Sequence, residues 1–365
     1  ITESQSLFHT AFPDGSTLKR CDLVDGVVAV EDPAGVVREA TFQYTSEGAH
    51  LMGLATAPDG TICGGTAFPM RFFSYHPRRD EWTNRACYIQ WNTVACGGDR
   101  FFVGGYTGGF LLEWDPAREW VATEKDDPES NPRFLTQCAP TINRPHMLLA
   151  HPDGETLVLA GTPGYGYTGG GLLFWNRKTG EETVLEHSDL ISEQSTMSLV
   201  PLPGGKLLGG TTVAPGTGGE QKAREAELYV MDESSKQLDW RAVVFSGVSE
   251  YTDMCLGPDG LVYGFTDRKR FFVFDSGQRQ VVHEEETEGE FGVTTSQQGP
   301  RVFIRGPGGE IYVLFVKGIA RVDVDTHGIE MLAESPLPVG PGGDILDGRI
   351  YFASGSHLYS YGLGT

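Results

Sequence analysis

Histidine, tyrosine and arginine side chains recur beside predicted strands, in loops that could meet in the folded chain. His50, His146 and Tyr251 stand where strands are predicted to begin, and Arg71 and Arg268 lie in other loops. An imidazole or a phenol can exchange a proton, and a guanidinium can neutralise a carboxylate. This set suits β-elimination at a uronic acid, in which the cation acidifies the proton beside the carboxylate. We interpret these five residues as candidate catalytic residues.

Other aromatic and basic residues of the same loops are candidate substrate-binding residues. They are Trp91, Tyr106, Tyr165, Tyr167, Lys222, Arg224 and Arg301. Tyr165 and Tyr167 could stack on a sugar or could simply pack their Gly-rich loop, and Lys222 and Arg224 could belong to a solvated turn. Few carboxylates accompany these residues, which disfavours glycoside hydrolysis because that reaction normally needs two acids.

A Gly-rich turn followed by two short β-like runs occurs seven times, and this repeat must position the candidates. The turns are Pro58-Asp59-Gly60, Gly97-Gly98-Asp99, Pro152-Asp153-Gly154, Pro203-Gly204-Gly205, Pro258-Asp259-Gly260, Pro307-Gly308-Gly309 and Leu346-Asp347-Gly348. The repeat length of about 40 to 55 residues is typical of a four-stranded propeller blade. The sequence therefore predicts an all-β fold, a seven-bladed β-propeller.

The two ends of the chain are predicted to share the last blade. Residues after Gly348 supply only two strands, and residues 23–43 read as two strands without a blade of their own. Pairing 344–361 with a strand from 23–43 would remove the open edge of the ring. We therefore expect one propeller domain over residues 1–365.

In a propeller, the loop before each innermost strand and the loop between the second and third strands open on the same face. Loop residues from different blades can therefore converge although they are distant in sequence. We expect Arg71, Arg268 and His50 or His146 to line one mouth of the central channel and to make it positive. An anionic ligand such as a carboxylated sugar would suit that mouth.

Composition excludes several classes of protein. The net charge of −21 argues against nucleic acid as a partner, and no run of eighteen apolar residues suggests a membrane span. The six cysteines form no CxxC pair, and the GxGxxG match at 164–169 precedes a predicted strand where a dinucleotide site needs a helix. The chain begins at Ile1 without a leader, and we expect a secreted or periplasmic protein from which any leader has been removed.

At the level of architecture and scattered residues, the chain resembles the seven-bladed propeller polysaccharide lyases that act on uronate-containing glycans. In those enzymes a tyrosine is followed by an arginine about one hairpin later, and Tyr251 precedes Arg268 in that manner, as His50 precedes Arg71. The resemblance implies a lyase acting on an acidic glycan. The second histidine of such enzymes is replaced here by Arg71 or a neighbour, which leaves the base open between His50, His146 and Tyr251.

Three alternatives stay open from the sequence. Another group of propeller lyases holds a divalent metal with several histidines and a glutamine, and His50, His146 and Gln297 or Gln298 could imitate that site. A propeller without catalytic activity could bind a glycan or a protein, because fold does not determine function. A glycoside hydrolase, or a metal-dependent lactonase or lyase acting on a small molecule, is the third alternative.

Overall fold

The computed structural model describes residues 10–22, 25–43, 48–296 and 299–364. Its regular structure is entirely β: thirty strands form eight small antiparallel sheets. Within these ranges there is no helix, and hence none long and apolar enough to cross a membrane. The chain divides into two compact units, Ile1–Gly48 and Ala49–Thr365. The expectation of a single domain stays a prediction.

The N-terminal unit contains one three-stranded sheet. Its strands are β1 (Thr17–Asp22), β2 (Val27–Glu31) and β3 (Val37–Thr41). The middle strand β2 pairs with β1 and with β3 in antiparallel registers. Every residue of β3 is exposed. The described part of this unit is therefore a small hairpin-based sheet with little buried apolar surface.

The second unit contains seven sheets, which we number 1 to 7 in chain order. Sheets 1 to 3 comprise β4 (His50–Thr56), β5 (Ile62–Ala67), β6 (Arg71–His76), β7 (Glu81–Ala86); β8 (Gln90–Gly97), β9 (Arg100–Tyr106), β10 (Phe110–Trp114), β11 (Arg133–Gln137); and β12 (Arg144–Ala150), β13 (Thr156–Thr162), β14 (Gly171–Asn176), β15 (Glu182–Glu186).

Sheets 4 to 7 continue the same order. They comprise β16 (Ser195–Leu202), β17 (Lys206–Thr212), β18 (Leu228–Asp232), β19 (Leu238–Ala242); β20 (Tyr251–Leu256), β21 (Val262–Thr266), β22 (Arg270–Asp275), β23 (Gln280–Glu286); β24 (Phe303–Arg305), β25 (Ile311–Phe315), β26 (Gly318–Val322), β27 (Ile329–Glu334); and β28 (Gly343–Leu346), β29 (Arg349–Ser354), β30 (His357–Gly362).

The repeat in the sequence produces this pattern directly. Each Gly-rich turn separates the first strand of a sheet from the second, and the predicted second and third strands lie within two residues of the observed ones. At the first turn, Gly60 adopts a φ of +78°, which favours glycine, and the Asp59 side chain accepts from the Thr61 amide at 3.1 Å. The turn chemistry thus fixes where each strand begins.

The first strands of neighbouring sheets contact one another in chain order, from β4 to β28, and β28 contacts β4 in turn. The Thr56 amide donates to the Asp344 carboxylate at 2.7 Å, and the Thr56 hydroxyl donates to the Ile345 carbonyl at 3.1 Å. Sheet 7 therefore meets sheet 1 directly.

Apolar side chains fill the space between each pair of neighbouring sheets. Between sheets 1 and 2, Phe72 packs against Trp91 and Phe101, and between sheets 7 and 1, Tyr351 packs against Leu54 and Phe73. Five further clusters occupy the corresponding positions between the other neighbouring sheets. The hydrophobic core is consequently divided among the interfaces between sheets.

The structure does not confirm the expected pairing of the chain ends. Strands do occur within 23–43, but β2 pairs with β1 and β3, and β1 was not predicted. Sheet 7 has three strands where the other six sheets have four, and β30 pairs with β29 alone among the described strands. The backbone of β2 forms hydrogen bonds with β1 on one side and with β3 on the other. β2 therefore has no free edge with which another strand could pair.

Residues 299–301 lie among the first strands of several sheets. The buried Arg301 donates from Nε to the Thr252 carbonyl at 2.9 Å, and its two terminal nitrogens donate to the His146 and Met197 carbonyls. These carbonyls belong to β20, β12 and β16. A Cβ at Gly299 would lie 2.6 Å from the Thr93 hydroxyl oxygen, so only glycine fits this approach to β8.

We expect Arg301→Leu to lower the free energy of unfolding by roughly 3–5 kcal/mol, because three buried carbonyls would lose a charged donor. Urea denaturation measures this change. The matched control is Arg305→Ala, at an exposed arginine of the neighbouring strand, which should change stability by about 0.5 kcal/mol or less. A cost below about 1 kcal/mol for Arg301→Leu would show that the guanidinium does not hold the sheets together.

Candidate functional site

The starts of the first strands and the ends of the second strands lie at the same edge of their sheets, as expected for a propeller. The register pairs His50 with Ala67, Gln90 with Tyr106, and Arg144 with Thr162. We call this edge of sheets 1 to 7 the upper edge and the opposite one the lower edge. All the candidate loops open at the upper edge, but only some of the candidate side chains contact each other there.

Two predicted ligand-binding residues meet at the upper edge of sheets 2 and 3. The hydroxyl groups of Tyr106 and Tyr165 form a hydrogen bond, and the guanidinium carbon of Arg144 lies 4.7 Å from the centre of the Tyr106 ring. The Tyr165 side chain is 58% exposed. We call Tyr106, Arg144 and Tyr165 the tyrosine–arginine cluster. It offers two aromatic rings, two hydroxyl groups and one cation to solvent.

Backbone hydrogen bonds between sheets 2 and 3 hold the cluster together. Asn143, which precedes Arg144, accepts from the Gly108 amide through its side chain at 2.8 Å and from the Gly109 amide through its carbonyl at 3.2 Å. Gly164, which precedes Tyr165, donates its amide to the Pro140 carbonyl at 2.8 Å. The cluster is therefore positioned by fixed turns.

Tyr167 lies beside the cluster in a ridge formed by two loops. The Gly166 amide donates to the Thr217 carbonyl at 3.0 Å, and the Gly216 amide donates to the Tyr167 carbonyl at 3.0 Å. The Thr168 hydroxyl donates to the Glu220 carbonyl at 2.6 Å. These bonds join the loop after β13 to the loop after β17, so the long insertion between β17 and β18 packs on its neighbour.

The two basic candidates of the insertion are exposed. Lys222 pairs with Glu193 at 3.4 Å, and Arg224 is exposed on the same loop. Exposed ion pairs of this kind contribute little to stability. The structure therefore places Lys222 and Arg224 on the ridge, outside the tyrosine–arginine cluster.

His146 is half-buried on β12, two residues after Arg144. Its Nε2 lies 3.1 Å from the Thr162 hydroxyl, and its Nδ1 is buried without a hydrogen-bond partner. Burial, together with the guanidinium groups of Arg301 and Arg144, lowers the pKa of His146 to about 3. The imidazole is therefore neutral near pH 7, with one nitrogen occupied and the other closed to solvent.

Three candidates of the upper edge lie apart from the cluster. His50 is exposed at the start of β4, and Arg71 donates from Nε to the Asn84 side chain at 2.8 Å, on the outer strand of sheet 1. Arg268 donates from Nε and Nη2 to the Thr294 carbonyl at 2.9 and 2.7 Å. The two arginines share the upper edge, but each is bound to its own surroundings. A positive channel mouth stays a prediction.

Three further candidates are buried, and their interpretation as ligand-binding or catalytic residues has to be corrected. Trp91 packs in the core between sheets 1 and 2, and Tyr251 packs against Phe245 and Phe272 between sheets 4 and 5. Burial raises the pKa of Tyr251. Arg301 is bound to backbone carbonyls in the interior. All three have at most 1% of their surface exposed, so solvent-borne substrate cannot reach them.

The metal site suggested by the sequence has no counterpart in the part of the chain that the structure describes. His50 and His146 belong to different sheets, and no group of three His, Cys, Asp or Glu side chains could share an ion within the described ranges. Gln297 and Gln298 lie outside the described residues. The six cysteines are all free thiols.

Sequence reasoning missed Arg144. The prediction placed the start of this strand at His146, whereas β12 begins two residues earlier. Side chains two residues apart share a face of a strand, so extending the strand to Arg144 would have found a cation next to the histidine. Pro145 hid this extension, because proline is unusual within a strand.

Comparison with known proteins identifies the fold. No protein-family model matches the sequence, and the search of curated proteins found no match. Among solved structures, the β-propeller domain of Myceliophteria thermophila Cps50 (Swd1) is 10% identical, with a TM-score of 0.60, and the match covers 88% of this chain and 99% of that one. A streptogramin B lyase is 11% identical, with a TM-score of 0.57, over 87% and 95% of the two chains. This chain is a β-propeller.

The depressed pKa of His146 predicts a pH-dependent stability. Between pH 6.5 and about 3 the unfolded chain binds a proton at this residue that the folded protein does not bind, so stability falls as the pH falls. The slope is at most about 1.4 kcal/mol per pH unit. We expect His146→Gln to reduce this slope, as measured by urea unfolding at several pH values.

The exposed His357→Gln is the matched control for the loss of a histidine. It should leave the pH dependence of stability unchanged. Equal slopes for His146→Gln and the unsubstituted protein would mean that His146 is accessible to protons in the folded state.

Proposed function

We propose that this propeller binds an acidic glycan at the tyrosine–arginine cluster. The observation that carries the proposal is the Arg144 guanidinium, which lies 4.7 Å from the ring of Tyr106, whose hydroxyl group is hydrogen-bonded to that of the exposed Tyr165. Aromatic rings of this kind stack on the apolar faces of sugars, and a guanidinium binds a carboxylate through two parallel hydrogen bonds. The ligand class that uses both features is a sugar that carries a carboxylate.

The surroundings support binding of an anion despite the net charge of −21. Arg144 has no carboxylate partner among the described residues, unlike Arg100, Arg133 and Arg270, each of which forms an ion pair. Charges more than about 8 Å away are largely screened at physiological ionic strength. The local cation therefore determines which ligand charge is favoured at this position.

Binding is favoured over catalysis because the candidate proton carriers are poorly suited to the task. The hydrogen bond from Tyr106 raises the pKa of Tyr165, and the free nitrogen of His146 is buried. A general base needs a pKa near the working pH and access to the proton it removes. Neither group meets both conditions.

Cleavage of a uronate-containing glycan by β-elimination at the same cluster is the second candidate function. One observation favours it: Arg144 lies close enough to lower the pKa of His146, and its charge also acts on Tyr165. A cation, an imidazole and a phenol are the groups that such a lyase requires. Arg71, Arg268 and Tyr251 would have no part in this version of the reaction.

We also propose that the seven sheets of the second unit are the seven blades of the propeller. The support is the unbroken order of contacts between first strands and the apolar clusters that join sheet 7 to sheet 1. Closure by a strand from the N-terminal region remains a prediction.

We expect oligogalacturonate to bind and the neutral galactose oligomer of the same length to bind more weakly. Arg144→Gln should weaken oligogalacturonate binding by about tenfold, because a charge-assisted pair is lost, and should leave the neutral oligomer unchanged. Tyr165→Ala should weaken both by about fivefold through lost stacking. Titration calorimetry measures the dissociation constants.

Trp82→Ala, at an exposed aromatic residue of β7, is the control for nonspecific loss of aromatic surface. It should leave both affinities unchanged. Equal weakening of acidic and neutral ligands by Arg144→Gln would contradict recognition of the carboxylate.

We expect prolonged incubation with polyuronates to give no unsaturated product, detected by its ultraviolet absorbance. Appearance of that product would replace the binding function by the lyase function. In that case Tyr165→Phe or His146→Ala should reduce the rate by about 10²-fold or more, the usual effect of losing general acid–base catalysis.

A further inference from the structure

A second cavity lies at the lower edge, on the opposite side of the sheets from the tyrosine–arginine cluster. Its volume is about 520 Å³. The ends of the first strands of sheets 3, 4, 5 and 6 form its walls, and residues 299–301 also line it. This volume is within the range of about 300–1,000 Å³ that is typical of sites for small molecules. We call it the lower-edge pocket.

The walls of the lower-edge pocket are mainly apolar. Met147, Leu149, Leu199, Met254, Leu256 and Phe303 contribute to them. Met147 and Leu149 are half-buried, so part of their surface faces the open pocket. Covering such a surface with an apolar ligand is favourable because it removes apolar area from water.

The polar groups of the pocket differ in whether they already have hydrogen-bond or ion-pair partners within the protein. The Asp253 carboxylate accepts from the Met254 and Val302 amides at 3.0 and 2.9 Å. His151, at the rim, lies 3.2 Å from Asp153 and 3.1 Å from Glu233. Arg301 donates to three backbone carbonyls. Each of these groups already has partners within the protein.

Arg305 is the exception. It is exposed at the end of β24, and no ion pair or hydrogen bond of its guanidinium occurs within the described residues. Burial raises the pKa of the Cys255 thiol, and the charge of Arg305 lowers this pKa by a smaller amount. Cys255 is itself a wall residue of the pocket. The uncompensated cation therefore lies next to the apolar wall.

We infer that the lower-edge pocket binds an amphipathic monoanion, a small molecule with a flexible apolar chain and a carboxylate head. The chain would lie along the methionine and leucine side chains of β12, β16 and β20, and the head would pair with Arg305 at the rim. Asp153 and Glu233 flank His151 on another part of the rim, where their negative charges would repel a carboxylate. The position beside Arg305 is therefore the favourable one for the head. This site is independent of the acidic-glycan site at the upper edge.

Titration calorimetry with decanoate and with decylammonium, both below their micelle concentrations, tests this inference. The two probes share the same chain and differ in the sign of the head. We expect decanoate to bind at one site and decylammonium to bind at least about tenfold more weakly, although the net charge of −21 would favour the cation. Stronger binding of decylammonium would overturn the inference.

Two variants locate the head and the chain. Arg305→Gln should weaken decanoate binding by about two- to fivefold, the effect of losing an exposed ion pair, and should leave decylammonium binding no weaker. Met147→Trp should fill the pocket and weaken both probes by about tenfold or more. Far-ultraviolet circular dichroism checks that each variant is folded.

Arg118→Gln, at an arginine of sheet 2 whose side chain is half exposed, is the matched control and should change neither affinity. The absence of decanoate binding to the unsubstituted protein would refute the proposed ligand class. Decanoate binding that is unchanged by both Arg305→Gln and Met147→Trp would place the ligand elsewhere and equally refute the assignment.

Discussion

The buried guanidinium of Arg301 joins the first strands of several sheets. It donates to carbonyl groups of three first strands, β12, β16 and β20, while the chain that carries it leads into a fourth, β24. Removing a charge from water is costly, and here hydrogen bonds compensate for it without a direct ion pair. The carboxylates of Asp253 and Glu250 add a favourable longer-range field. The positions of four sheets thus depend on one side chain.

This interior segment also separates the two surfaces that could bind ligands. Gly299 and Arg301 approach β8, β12, β16 and β20 closely, and residues 299–301 line the lower-edge pocket. The tyrosine–arginine cluster at the upper edge is polar and exposed, whereas the lower-edge pocket is mainly apolar. The cluster belongs to sheets 2 and 3 and the pocket to sheets 3 to 6, so β12 contributes to both, with Arg144 at its start and Met147 and Leu149 further along.

Packing between sheets explains why several promising residues are unable to act on a ligand. Large aromatic side chains next to Gly-rich strands fill the interfaces, and Trp91 and Tyr251 belong to this group. Gly210 leaves room for the Tyr251 ring, since a Cβ at Gly210 would lie 2.5 Å from the Cβ of Tyr251. A tyrosine beside a glycine of the neighbouring sheet is thus a packing pair in this fold, although its residue type would also suit proton transfer.

The sequence by itself determined the repeat and most strands, because turn residues and alternation act locally. Asp59 and Gly60 fix a turn through a hydrogen bond and a dihedral angle that involve only neighbouring residues, and a glycine with positive φ occurs at each of the other six turns. It also indicated that Tyr106 and Tyr165 share one edge, since antiparallel order alone places them there.

Only the tertiary structure decided which side chains meet, which are buried and how the N-terminal strands pair with one another. Arg301 looks like any loop arginine in the sequence, and its role depends on carbonyls that lie between 49 and 155 residues away. The contact of Arg144 with Tyr106 depends on the relative position of two sheets, and burial of Tyr251 depends on a neighbouring glycine. Such contacts between distant segments depend on how the sheets pack, and local sequence patterns therefore do not predict them.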